Sequence, residues 1–374
     1  MKRLAARLAV LGAAAACVVG TTAGTASASF KLTGAGSTLI QPMLANVWIP
    51  DFQNANSGDT VSYGGGGSTA GINAITGNTV NFGASDAPLT SAQASACSKC
   101  VQIPWALSAT GPVFNISGVS NLNLSGPVLA EIYMGTITNW SDPKIKALNK
   151  GVTLPNAPIA VFWRSDGSGD TFVWESFLAD TSSAYKSFLS SKGAVASTTS
   201  VYGVGTGEKS NSGVAAAVAS TPDSIGYVST FYARDANLHG AAVENASGKF
   251  IHPYPESMTD AADQVPASQL SSSSYNSEPV IANDVATLGY TPPKVKKGHK
   301  ATKPTAKQLE IENLYPLSTF TDVLVRADTS DVPDLQTFIK FCLSSAEQAK
   351  GNGQSFAPLP AAVVKFDLAQ VNAL

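Results

Sequence analysis

Charge is scarce in this chain. Of its 374 residues only 13% are Asp, Glu, Lys or Arg, against the roughly one quarter usual in soluble domains. Lys and Arg number 24 and Asp and Glu 26, for a net charge of −2. That near-balance excludes a broadly basic nucleic-acid binder and leaves room only for a local anion site. Histidine is almost missing: His239, His252 and His299 are the full set. There is no G-x-S-x-G turn and no convincing metal cluster, so the usual hydrolytic machineries have little to work with, and no cofactor or metal is expected. Beyond the N-terminus no segment reaches the roughly 20 continuous apolar residues of a membrane-spanning helix.

The first stretch reads as an address. Lys2, Arg3 and Arg7 precede an apolar run at residues 8–20, and Ala26-Ser27-Ala28 supplies an A-x-A cleavage signal. Residues 1–28 are therefore expected to be a signal peptide, whose three cations leave with it and take the net charge from −2 to −5. A lipid anchor at Cys17 is the rival, but Ala14-Ala15-Ala16 lacks the large aliphatic residue of a good lipidation site. The expected destination is the periplasm or the extracellular and cell-wall space. In an exported chain, Cys97-Ser98-Lys99-Cys100 is expected to be oxidised. A local disulfide bracing a loop fits better than a redox motif, which wants a thioredoxin-like βαβ context, or a zinc site, which wants a second pair of ligands. Cys342 reads as a buried thiol on a helix.

The length suggests two compact units. Short β-branched runs alternate with helical stretches. Residues 60–63, 80–84, 159–163 and 318–325 read as strands, while 46–48, 71–75, 172–178 and 335–343 read as helical. Strand, glycine-rich loop and helix in repetition is the signature of an α/β fold with ligand loops at strand ends. Residues 268–313 differ in texture, with a serine run at 271–274, Pro292-Pro293 and six lysines between Lys294 and Lys307. Such composition predicts a flexible surface insertion, centred on about residues 284–312, with attachment to an anionic surface or a partner as the functional alternative.

Three glycine-rich loops sit between a strand and a helix. They are Gly34-Ala35-Gly36-Ser37-Thr38-Leu39, then Gly64-Gly65-Gly66-Gly67-Ser68-Thr69-Ala70-Gly71, then Arg164-Ser165-Asp166-Gly167-Ser168-Gly169-Asp170-Thr171. Glycine lets a backbone approach a ligand closely, a helix start offers unpaired N–H groups, and hydroxyls add neutral donors. The combination is a cradle for an oxyanion. None of the loops has the Gly-Lys-Ser/Thr ending of a P-loop.

Thr33-Gly34-Ala35-Gly36-Ser37-Thr38, Asn81-Phe82-Gly83-Ala84-Ser85-Asp86-Ala87-Pro88-Leu89 and Arg164-Ser165-Asp166-Gly167-Ser168-Gly169 together resemble the phosphate-binding subunit of bacterial phosphate ABC importers. The likeness extends through Asn211-Ser212-Gly213-Val214-Ala215-Ala216, Ser224-Ile225-Gly226-Tyr227-Val228 and Phe356-Ala357-Pro358-Leu359-Pro360. It implies a two-lobed type II periplasmic-binding-protein fold with phosphate clamped in the cleft between α/β lobes. Residues 29–106 and 316–374 would form one lobe and 107–315 the other, with crossings near Trp105 and Pro316. By the same resemblance Thr38, the N–H of Leu39, Ser68, Asp86, Arg164, Ser168 and the N–H of Gly169 would hold phosphate, with Asp166 orienting the arginine. The partners implied are inorganic phosphate and the permease and ATPase of an importer, met by a non-catalytic, monomeric receptor.

Asp170 departs from the family's common Thr. A carboxylate is an acceptor and tolerates an anion only through the anion's own proton. If both Asp86 and Asp170 face the ligand, binding should favour dihydrogen phosphate and weaken above neutral pH. Alternatively Asp170 caps its helix and Thr171 donates instead. Trp163 reads as a core residue ending its strand rather than a ligand contact. The competing functions are an exported phosphatase, for which Ser68 and Ser168 would lack a suitable base, and a receptor for sulfate or molybdate, against which the acidic residues argue.

Overall fold

The structure, a computed structural model, describes residues 29–265 and 304–374. The expected signal peptide, Cys17 and most of the Lys-rich stretch lie outside the described residues.

Three parallel strands open the chain: β1 (Lys31–Gly36), β2 (Thr60–Gly66) and β3 (Phe82–Ser85), with β1 between the other two. Parallel neighbours require crossover connections. Those here are the helical run Gln41–Met43, Leu44–Trp48 and Ile49–Ala55, then the helix Ser68–Thr76. Next comes β4 (Cys100–Asn115), a 16-residue strand buried along nearly its whole length. After the short β5 (Asn123–Leu124) follow β6 (Ala160–Arg164), β7 (Thr206–Glu208) and β8 (Ser224–Ser229), with β6 parallel to both of the others. The chain closes its sheets with β9 (His239–Gly240), β10 (Ala242–Glu244), β11 (Phe250–Ile251) and β12 (Ser318–Arg326).

The main sheet runs β2-β1-β3-β12-β4-β8-β6-β7, with β9 also on β4, and β5, β10 and β11 form a separate small sheet. In the main sheet β4 is the shared member. Its first part pairs antiparallel with β12 from Cys100 to Ala109, and its second part pairs antiparallel with β8 from Thr110 to Asn115. The change of partner thus falls a few residues beyond Trp105. Trp105 itself is buried among Trp48, Phe82 and Phe338, at ring separations of 5.4, 6.0 and 6.4 Å. A second aromatic group packs under β8, where Trp174 stacks on Tyr227 at 5.0 Å and meets Tyr133 at 5.2 Å. Each such pair adds about 0.5–1.5 kcal/mol beyond its area burial.

Several local expectations shift by a residue or more for visible reasons. The strand expected from Val80 begins at Phe82, because the Asn81 carboxamide oxygen accepts the Thr33 N–H at 2.7 Å and the Thr33 hydroxyl at 2.9 Å. The helix expected from Gly71 starts at Ser68, and β2 runs to Gly66, so the second glycine loop contracts to Gly67 alone. That residue sits at φ +89, and a Cβ there would fall 2.5 Å from the Gly167 carbonyl of the third loop. The Lys-rich stretch is corrected at its C-terminal end: Ala306–Asn313 is a helix, not a loop. Thr305 and Gln308 cap it reciprocally, and Ile311 buries its inner face. Cys97 and Cys100 are disulfide-bonded at the entry to β4, and Cys342 is a buried free thiol ending the helix Val332–Cys342.

Candidate functional site

The ends of β1, β2 and β3 meet the turn after β6, and there nearly every polar group is buried. Asp86, just beyond β3, is 4% exposed. Its carboxylate accepts the Ser37 hydroxyl at 2.7 and 2.6 Å, the Thr321 hydroxyl at 2.7 Å and the Ser68 hydroxyl at 3.3 Å. Ser68 opens its helix and also accepts two backbone N–H groups, from Asp86 at 3.1 Å and from Gly169 at 3.0 Å. This hydroxyl therefore ties the β3 turn to the turn after β6. The approach admits no side chain at residue 169, since a Cβ there would lie 2.5 Å from the Asp86 Cβ.

Arg164, at the end of β6, is fully buried. Asp166 takes its guanidinium in a two-pronged grip, with Nε at 2.7 Å and Nη2 at 2.6 Å, while Nη1 donates to Asp170 at 2.9 Å. Asp170 collects two further donors, Asn211 Nδ2 at 2.7 Å and the Thr110 hydroxyl at 2.5 Å. Asn211 spans the site as well, donating to Thr38 Oγ1 at 3.0 Å and accepting the Ser229 N–H at 2.8 Å. Bidentate arginine–carboxylate pairs are the strong, orientation-fixing kind. Three of the five guanidinium N–H groups are engaged in this way, which fixes the orientation of the arginine.

Electrostatics separate the two sides. Burial and the charge of Asp170 push the Asp86 carboxyl up to about 7, against the Ser37 and Thr321 hydrogen bonds and the Arg164 charge. Burial would raise Asp166 too, but the bonds and charge of Arg164 outweigh it and hold Asp166 below the ordinary carboxylate range. Burial likewise opposes the charged form of Arg164, and the carboxylates reverse that and raise its pKa.

A family model described as "PBP superfamily domain" matches residues 21–346. The phosphate-binding protein PstS of Xylella fastidiosa (strain 9a5c) is 32% identical over 342 residues, covering 90% of this chain and 84% of that protein. This chain belongs to the PstS family. A second relative, the PstS of Pasteurella multocida (strain Pm70), is 38% identical over 233 residues, covering 62% of this chain and 65% of its own length. Among solved structures, a high-affinity periplasmic phosphate-binding protein bound with phosphate at pH 8.5 matches with TM-score 0.63 and 21% identity, over 92% of this chain and 93% of that one. A putative phosphate ABC transporter substrate-binding protein from Clostridium perfringens, with bound phosphate, matches with TM-score 0.59 and 17% identity, over 88% and 100% of the two chains. These two likenesses show the fold, the two-lobed binding-protein architecture expected from the sequence.

Within this PstS-family chain the residues singled out in the sequence lie together. Thr38, Leu39, Ser68, Asp86, Arg164, Ser168, Gly169 and Asp170 are all buried at the junction of the three turns. The Leu39 N–H donates to the Ser37 hydroxyl at 3.0 Å. Ser168, not Asp170, caps the helix Gly169–Thr181, its hydroxyl accepting the Thr171 N–H at 3.4 Å. The Thr171 hydroxyl is engaged with the Tyr227 phenol at 2.7 Å. Trp163 packs on Tyr202 at 5.9 Å and donates its indole N–H to the Val204 carbonyl at 2.9 Å. Sequence reasoning missed Ser37, Thr110, Asn211, Tyr227 and Thr321. Ser37, Asn211 and Tyr227 lie inside blocks already quoted for their resemblance, so position within those blocks was an available signal. Thr110 and Thr321 lie inside apolar strands and gave none.

Proposed function

We propose that this chain captures inorganic phosphate outside the cytoplasm and passes it to the membrane subunits of an ABC importer, without chemistry of its own. The observation that supports this best is the pairing of opposites at one buried point. Asp86, a carboxyl that can accept a ligand proton, stands against the Gly169 helix start and within electrostatic reach of the buried Arg164. A fully ionised oxyanion would set acceptor against acceptor at Asp86, whereas a protonated phosphate supplies the missing hydrogen. Thr38, the N–H of Leu39, Ser68, Ser168 and the N–H of Gly169 are the proposed neutral donors, and Arg164 the charged one. Leu39 and Gly169 currently give their N–H groups to the Ser37 and Ser68 hydroxyls. Such bonds exchange for bonds to an oxyanion with little net loss.

The hinge follows from topology. β4 belongs first to the β1–β3–β12 side and then to the β6–β8 side, so bending near Ala109 and Thr110, with the return at Leu317, would open the site. A monomer suffices, since both sides of the site come from one chain. Export through residues 1–28 is part of the same reading. Calorimetry with phosphate, arsenate, sulfate and a phosphate monoester tests it. Phosphate and arsenate are expected to bind, with sulfate weaker by about 10²-fold or more. Equal binding of sulfate, or turnover of nitrophenyl phosphate, would overturn the reading.

A further inference from the structure

Behind Asp86 stands a second buried carboxyl that phosphate capture as described leaves unused. Asp322 follows Thr321 on β12, at a point where that strand shifts register against β4. Its side chain is 5% exposed. Oδ2 accepts the Gln102 Nε2 at 2.6 Å, and Oδ1 is buried without a hydrogen-bond partner among the described residues. The Gln102 amide cannot turn to offer an acceptor instead. Its oxygen accepts the Leu89 N–H at 3.1 Å and its nitrogen also donates to the Ala87 carbonyl at 3.2 Å. Oδ2 is therefore fixed as an acceptor, and a proton on Asp322 belongs on Oδ1. The contrast with Asp86 is direct. Asp86 has three hydroxyl donors, whereas Asp322 has a single neutral amide for two oxygens. A buried carboxylate so poorly solvated ordinarily takes a proton.

Among the described residues no cation acts on Asp322. The residues paired with it on β3 and β4, Ser85 and Pro104, are neutral. Two residues further along β12, Leu324 packs with Ile72, Ile75 and Leu89. The titratable group that acts on it is Asp86. Burial and the Asp86 charge push Asp322 up to about 7, against the Gln102 bond. The charge of Asp86 thus opposes ionisation of Asp322, while the hydroxyl donors at Asp86 favour the charged form there.

We propose that Asp322 is a positioning residue for ligand protonation, holding a proton on Oδ1 whenever Asp86 is fixed as the acceptor of a phosphate hydroxyl, so that capture of phosphate draws a proton from solvent onto a side chain that never touches the ligand. The inference rests on the phosphate reading. No ligand bond breaks: solvent loses one proton and Asp322 gains it. The consequence is an affinity that falls with rising pH more steeply than the titration of phosphate and Asp86 alone requires.

The test compares the wild-type chain with Asp322→Asn, which keeps the shape and cannot titrate. Phosphate calorimetry at pH 8 in two buffers of different ionisation enthalpy counts the protons taken up. The wild type is expected to take up about half to one proton per phosphate more than the variant, and to lose about threefold to tenfold more affinity per pH unit between 7 and 8. Equal proton counts and equal slopes overturn the proposal. A second readout uses the unliganded protein. A carboxyl raised in the folded state stabilises below its unfolded value near 4 and loses that contribution as pH climbs to about 7. Asp322→Asn should therefore gain about 3 °C or more in Tm, relative to wild type, between pH 5 and pH 8. A constant Tm difference across that range overturns the assignment of the proton to Asp322. Should the Asn variant fail to fold, Asp322→Ser carries the same expectations. Absence of phosphate heat in the wild type sinks the phosphate reading and this inference with it, whereas heat with unchanged proton counts sinks the inference alone.

Discussion

On one side of the site a carboxylate, Asp86, is hydrogen-bonded by three hydroxyls and feels Arg164 only at a distance; on the other a guanidinium, Arg164, is bonded to two carboxylates that are themselves hydrogen-bonded. Both sides are buried, yet they resolve their charge differently. The Arg164 side is a circuit closed by charge pairing: Asp166 grips Nε and Nη2, Asp170 takes Nη1, and Asn211 and Thr110 also donate to Asp170. Its opposite charges hold one another in a fixed geometry. The Asp86 side is open to a proton, because hydroxyls can donate to a carboxylate but do not neutralise it. On the phosphate reading proposed above, such a site would place its selectivity, and its pH dependence, on the Asp86 wall.

The sharpest way to break that contrast is to open the circuit. Arg164→Met leaves the buried Asp170 and the half-buried Asp166 without their guanidinium, and removing one partner of a buried pair costs about 3–5 kcal/mol. Urea denaturation should show that loss, and phosphate calorimetry should show no heat. Adding Asp170→Asn to it should restore part of the stability and none of the binding. A single variant that melts like the wild type would mean that the circuit is not closed.

The next largest effect belongs to the other wall. Asp86→Asn replaces the acceptor by a group that can also donate, and phosphate affinity is expected to fall about 10²-fold while sulfate gains relative to phosphate. Competition calorimetry reads both. The unliganded protein should change as well. Because Asp86 is raised to about 7 in the folded state, its contribution to stability is fully present below about pH 4 and is lost as pH rises through 7. The Asn variant should lack that part of the decline, which urea titrations at pH 5 and pH 8 would detect.

How much of this was legible beforehand follows the range of the interactions. Arg164 and Asp166 are two residues apart, and their grip is a local event that the family resemblance had implied. Ser68, Asp86 and Gly169 were named because the chain resembles the phosphate-binding family, and Ser68 and Gly169 also lie in glycine-rich loops that suit an oxyanion. Thr321 was not, since it reaches Asp86 from 235 residues away inside an apolar strand, and only the β12–β3 pairing brings them together. Asn211 sat inside a quoted block, but its role as the tie between Asp170 and Thr38 needs three elements in place at once. The helix Ala306–Asn313 shows the reverse failure. A lysine- and proline-rich neighbourhood outvoted a local capping signal, Thr305 to Gln308, that was plain in the sequence.

Asn211 supplies a middle-sized test of whether the closed circuit extends beyond its charges. Asn211→Ala strips one donor from Asp170 and leaves the buried Ser229 N–H without its acceptor. Leaving such groups unsatisfied costs about 1–3 kcal/mol. Urea denaturation at pH 7 should show this loss, together with weaker phosphate binding, since Thr38 loses its anchor too. A loss in stability with unchanged affinity would place Asn211 outside the ligand wall.

The smallest expected effect is the most discriminating about pH. Tyr227 sits beneath Arg164, where its phenol oxygen accepts the Arg164 N–H at 3.2 Å and shares a hydrogen bond with the Thr171 hydroxyl at 2.7 Å. It therefore joins the strand carrying the arginine to the helix carrying Asp170, without touching either charge. Tyr227→Phe keeps the ring stacked on Trp174 and deletes only the hydroxyl, a change worth about 0.5–1.5 kcal/mol of stability. Phosphate affinity should fall by less than about tenfold. Burial pushes the phenol up to about 12, against its hydrogen bonds to Ser200, Thr171 and the Arg164 backbone, so it stays neutral wherever the protein is folded and working. The loss must then be the same at pH 6 and pH 8.5, in contrast to every change made on the Asp86 wall. If Tyr227→Phe instead alters the pH dependence of phosphate binding, the proton-free wall is not proton-free, and the division of labour between the two sides fails.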